Sequence, residues 1–97
     1  MPSVKYSAQA IADLKRIHDF LVTQDSDVAK RAVSVIRAAL EKVAFMPERF
    51  RPVEGKMYHR GAIIDFASSG YVARFRHVPN GDITIARIMH QKEDDFQ

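Results

Sequence analysis

The sequence predicts an α+β fold of two layers, in which an N-terminal strand and an antiparallel helical hairpin pack on a three- to four-stranded, mainly antiparallel sheet. Three observations carry this expectation. Residues 70–90, GYVARFRHVPNGDITIARIMH, alternate as two strands around an Asn-Gly pair. Upstream, two apolar-periodic stretches have helical spacing and are parted by only three polar residues, Gln24-Asp25-Ser26. The resulting order of strand, two helices and three strands leaves one sheet face for the helices to cover.

Val4-Lys5-Tyr6 alternates as a short first strand, and its place in the sheet does not follow from the alternation. Ser7 suits the N-cap of a helix from Ala8 to Val22, on which Ile11, Leu14, Ile17 or His18, and Leu21 make one apolar stripe. Ser26 or Asp27 can cap a second helix running to about Phe45. Its apolar face is broad: Val28, Ala32, Val35, Ile36, Ala39, Leu40 and Val43, widened by Ala29, Val33 and Ala44. Pro47 stops it. Met46 to Arg60 is basic and expected to be irregular, with Pro52 and Gly55 excluding regular structure through its middle.

Ala62–Ala67 reads as a strand, turned by Ser68-Ser69-Gly70 into Tyr71. Tyr71, Ala73 and Phe75 then share the apolar face of the next strand, and Val72, Arg74 and Arg76 share the other. Asn80-Gly81 tolerates positive φ at both centres of a type I′ turn. Ile83, Ile85, Ile88 and Met89 look apolar on both faces, as in a central strand covered on both sides. Glu93-Asp94-Asp95 is a solvated terminus or a short helix start.

Ninety-seven residues, 46% apolar and 28% charged, fit one globular domain over 1–97. No apolar run nears the roughly 18 residues that span a bilayer, and the first residues lack a signal peptide's apolar segment. With no cysteine there is neither disulfide nor thiolate ligand, which suits a cytoplasmic home. The net charge of +3 favours an acidic partner without choosing nucleic acid over protein. His18, His59 and His77 show no ligand spacing, and no Walker loop, dinucleotide fingerprint or nucleophile elbow is present. Neither a metal, a cofactor nor a catalytic set is therefore expected.

The candidate binding residues are cations. Arg74 and Arg76 share a strand face that could hold phosphate or an acidic partner, and that reads equally as a solvated outer face. Arg87 on the next strand and Arg60 before the meander extend the patch. His90 follows the last strand, where it could act as a general acid or base, although without a visible partner a structural role weighs more.

The element order resembles the ParE/RelE superfamily of toxins from bacterial toxin–antitoxin modules. The supporting features are SAQAIADLKRIHDFL in the first helix, Pro47 after the second, Ser69-Gly70-Tyr71 opening a strand, and the ending ITIARIMHQ. RelE-like members are ribosome-dependent ribonucleases, whereas ParE-like members poison DNA gyrase. In the ribonucleases the strand before an SSGY-like turn carries lysines, and an arginine follows the tyrosine. Those places hold Ile63, Asp65 and Val72 here, which cannot stabilise a charged phosphorane. No late tyrosine follows, and Lys92 alone stands near where a basic residue would be expected. Arg87–His90–Gln91 looks like the R-x-x-H-Q of ParE-like chains, so the resemblance favours the gyrase-inhibiting branch over a messenger ribonuclease.

The resemblance also implies a ParD-like antitoxin wrapping the helical hairpin and sheet, and DNA contact only through that antitoxin. A separate alternative is a small DNA-binding module with the Asn80-Gly81 hairpin as a wing. The second helix has too little polar surface to serve as its recognition helix.

Overall fold

A computed structural model describes residues 2–67 and 69–92. The elements are β1 (Val4–Tyr6), α1 (Ala8–Val22), α2 (Ser26–Val43), β2 (Arg51–Pro52), β3 (His59–Phe66), β4 (Ser69–His77) and β5 (Ile83–His90), with a 3₁₀ turn at Pro47–Arg49. They build an α+β fold whose open sheet has the order β1-β5-β4-β3-β2. Only β1 pairs in parallel, against Ile83–Ile85 of β5; the other neighbours are antiparallel. The α1–α2 hairpin is thus the crossover between β1 and the rest of the sheet, and it covers one face.

Five strands replace the expected three or four. The additional one, β2, lies within the stretch expected to be irregular and pairs Arg51 with Gly61 and Pro52 with Arg60. Proline is tolerated there because the strand is an edge and need not donate to a further neighbour. β3 begins at His59, three residues before the expected start.

Ser7 caps α1 as its sequence suggests, with Oγ accepting from Ala10 N at 3.0 Å. The buried stripe is Ala10, Asp13 and Ile17, while Ile11 is exposed. For α2 the cap is Asp25, one residue earlier than expected; its carboxylate accepts from Asp27 N and Val28 N at 2.8 and 3.2 Å. The helix ends at Val43, before Phe45, and Pro47 opens the 3₁₀ turn. Ala29, Ala32, Ile36, Leu40 and Val43 are its buried face. Of these, Ile36, Leu40 and Val43 share one core with Tyr71, Ala73 and Phe75 of β4, whose inward set is the one the alternation marks.

The expected double covering of β5 is not what gives it so many apolar residues. Arg74 pairs with Arg87 and the next pair is Phe75 with Ile85, so Ala86 sits in a bulge. The extra residue shifts the phase and puts Ile83, Ile85 and Ile88 on one face; each is fully buried. Met89 belongs to the opposite face, in register with Val72 and Ile63.

The β4–β5 connection differs too. Gly81 N donates to Val78 O at 2.8 Å, and Asn80 alone has positive φ, at 65°. This is a type II turn centred on Pro79-Asn80, because proline presets the first central φ. At the other hairpin Phe66 pairs with Ser69, so Ser69 and Gly70 belong to β4 rather than to the turn. Gly70 is required there: a Cβ would lie 2.3 Å from Ile64 O. The acidic end 93–95 falls outside the described residues, and no described helix is long and apolar enough to cross a membrane.

Candidate functional site

Since β1 reaches only Ile83–Ile85, the outer edge of β5 beyond Ile85 has no strand partner among the described residues. Helix α1 supplies side chains in its place. Ser7 Oγ donates to Ala86 O at 3.0 Å, and Arg16 Nη2 donates to Ile88 O at 3.3 Å. Between them the Ile88 N–H donates to Asp13 Oδ2 at 2.8 Å. Arg87 Nε donates to the same carboxylate at 2.9 Å, and Gln9 Nε2 donates to Oδ1 at 3.3 Å.

Asp13 is only 1% exposed. Burial by itself pushes its pKa up, but the Arg87 guanidinium, the Ile88 N–H and the Gln9 amide together hold it below the ordinary aspartate value. Sequence reasoning missed Asp13. The usable signal was its spacing from Ala10 and Ile17, which places a carboxylate on the buried stripe.

The six candidate residues do not form one patch. Arg74 and Arg76 lie on the open sheet face, opposite buried Phe75. Arg87 shares the Arg74 register, a like-charge pairing that is unfavourable unless relieved; its ion pair with Asp13 provides that relief. Arg60 pairs with Phe75 and so belongs to the helix-covered side. Its Nη1 donates to Glu48 O and Phe50 O at 3.1 and 2.7 Å, pinning the 3₁₀ turn to the sheet.

His90 and Lys92 stand together at the end of β5. Lys92 N donates to His90 Nδ1 at 3.1 Å, which makes Nδ1 an acceptor and leaves the proton on Nε2. Nε2 therefore donates to Ser69 Oγ, 3.0 Å away. In this tautomer His90 cannot take a proton from Ser69, so the pair is a structural clasp and not an activated nucleophile. Tyr71 packs edge-on against the imidazole with ring centroids 5.5 Å apart. Burial raises the Tyr71 pKa, partly offset by the Arg16 charge.

A separate stretch of surface is largely apolar. Phe45 (67% exposed), Met46 and Val35 line a groove with Ile63 (69% exposed), and Lys42 and Arg49 stand at its rim. Ile63 pairs with Val72 on the open face, and Asp65 is exposed beside it. Among the described residues no group of His, Cys, Asp and Glu could hold a metal ion.

Comparison with known proteins agrees with this architecture. The family model described as the ParE toxin of type II toxin–antitoxin system, parDE, matches residues 4–95. Among solved structures the chain is similar to one described as the chromosomal ParDE TA system from P. aeruginosa. The two share 27% identity and a TM-score of 0.75, over 93% of this chain and 96% of that one. No match to a curated protein was found.

Proposed function

The chain belongs to the ParE toxin family of type II toxin–antitoxin systems, and on that premise we propose that it acts in the cytoplasm by binding and inhibiting DNA gyrase. A ParD-like antitoxin neutralises it, and contact with operator DNA runs through that antitoxin. The whole of 1–97 serves as one toxin domain.

The observation that carries this reading is the aliphatic Ile63–Val72 pair, with exposed Asp65 beside it, on the open sheet face. Cutting messenger RNA there calls for groups that activate a 2′-hydroxyl, stabilise the phosphorane and protonate a leaving oxygen. Isoleucine and valine do none of these, and a carboxylate repels the developing charge. Arg74 and Arg76 add positive charge nearby, but a guanidinium stays protonated and moves no proton. His90 is clasped at the far end of β5 between Ser69 and Lys92. A mode of action by binding needs none of this chemistry.

Antitoxin capture is supported by the similar solved structure, which is described as a ParDE system, and by the groove of Val35, Phe45, Met46 and Ile63. An amphipathic segment could cover these side chains and place acidic residues against Lys42 and Arg49.

The test sets purified protein against gyrase with supercoiled DNA and, separately, against programmed ribosomes. Lost supercoiling or trapped cleaved DNA, with messenger intact, is the expected result. Rapid messenger cleavage in the ribosomal A site with supercoiling untouched would replace this reading with the ribonuclease.

A further inference from the structure

We propose that the corner built by Tyr58 and Arg76 binds single-stranded nucleic acid, stacking an unpaired base on the Tyr58 ring while neighbouring cations hold its phosphates. This goes beyond gyrase and the antitoxin, and its test contains neither.

The first observation is backbone conformation. Tyr58 has φ of +66°, a region that bulky residues rarely occupy. Three residues upstream the same segment uses Gly55 at +79°, where nothing lies within 4 Å of a would-be Cβ. Glycine at 58 would have met the same demand without strain. Instead, the surrounding structure holds tyrosine in place. Tyr58 O accepts from His77 N at 2.9 Å, and the neighbouring His59 N donates to Lys56 O at 3.2 Å. The ring is not there for core packing, because the residue remains 42% exposed. Strain that holds an outward-facing side chain points to a use for that side chain.

The second observation is what surrounds the ring. The Arg76 guanidinium carbon lies 5.9 Å from its centroid, so one cation already backs the π system. Exposed Met57 adjoins it. A hollow of about 410 Å³, lined among others by Lys56, Tyr58, His59 and Pro79, is large enough to seat a base.

Charge concentrates here as well. Lys56 and Arg60 line the hollow with Tyr58, and Arg76 stands over the ring, against one lining carboxylate, Glu48. Cations beside an exposed aromatic are the recurring parts of a single-strand site. An acidic peptide would use the cations but leave the ring idle. Duplex DNA would offer phosphates but keep its bases stacked internally.

The experiment uses the purified full chain and a fluorescein-labelled oligothymidine of about 12 nucleotides, within usual site sizes. A duplex of equal length and an oligoglutamate peptide of equal charge are the competitors. The oligothymidine is expected to bind more tightly than either. Tyr58→Gly should weaken it about 5- to 150-fold while Tm stays level or rises, since the ring goes and the strain with it. Tyr58→Asn, which also tolerates this backbone, is a second ring-less variant, and Tyr58→Phe should bind like the parent. Arg76→Gln should reduce the salt slope by about 0.7. Equal or tighter binding of oligoglutamate or duplex, undiminished binding by the folded ring-less variants, or no oligothymidine binding at low salt would overturn the proposal.

Discussion

Replacing Asp13 tests the account of the β5 edge most directly. In Asp13→Ala the buried Ile88 N–H loses its acceptor, a cost of about 1–3 kcal/mol. The Arg87 ion pair is lost as well. Because the Arg87 side chain is 40% exposed, water takes over much of its solvation and that part is worth about 1 kcal/mol or less. The sum is about 1–4 kcal/mol, a sizeable share of the 5–15 kcal/mol typical of a domain. In a chain of this size it corresponds to a Tm loss of about 4–30 °C.

Asp13→Asn keeps an oxygen that can accept from Ile88 and should cost only about 1–2 kcal/mol. The two variants also differ from the parent in pH dependence. The folded pKa of Asp13 is depressed, so its contribution is fully present above the ordinary aspartate value and is lost as pH falls through the lower folded one. Urea unfolding followed by circular dichroism at neutral pH and in steps below pH 4 should show the gap between parent and Asp13→Asn closing in acid. A cost of under about 0.5 kcal/mol for Asp13→Ala, or an Asp13→Asn gap that stays constant with pH, would refute the reasoning. Arg87→Ala breaks the same ion pair and is expected to reduce toxicity largely by destabilising the protein, which a parallel urea-unfolding measurement separates from lost target contact.

Other outcomes follow from exposed or strained positions. Phe45→Glu with Met46→Glu should weaken antitoxin binding by at least about 10-fold in calorimetric titration, while unfolding free energy changes by only about 0.5 kcal/mol. Arg74→Ala with Arg76→Ala should lower gyrase inhibition or antitoxin affinity by about 1.5–3 kcal/mol for each charge-assisted contact removed; unchanged values for both would discard the open-face cations as a binding surface. Ala67→Gly, at φ of +54°, should raise stability by about 1 kcal/mol in chemical denaturation.

Much of the fold was legible because it depends on neighbours close in sequence. The bounds of α1 follow from Ser7 and a repeat of three and four residues, and the Tyr71, Ala73, Phe75 face follows from a repeat of two. The candidate cations were legible as residue types but not as a constellation. Arg60 and Arg76 lie near each other in the pairing of β3 with β4, yet face opposite sides of the sheet, and only the register reveals it.

The sequence by itself determined two amphipathic helices and an antiparallel meander, and it excluded the thiolate chemistry that a chain without cysteine cannot perform. Tertiary structure decided the rest: β1 beside β5, the bulge at Ala86, β2 as a fifth strand, and the joining of Asp13 to Ile88 across 75 positions. The physical reason is range. Caps and periodic faces are set within a turn or two of the chain, whereas an unpaired strand edge is satisfied by whichever donor or acceptor the completed fold brings to it.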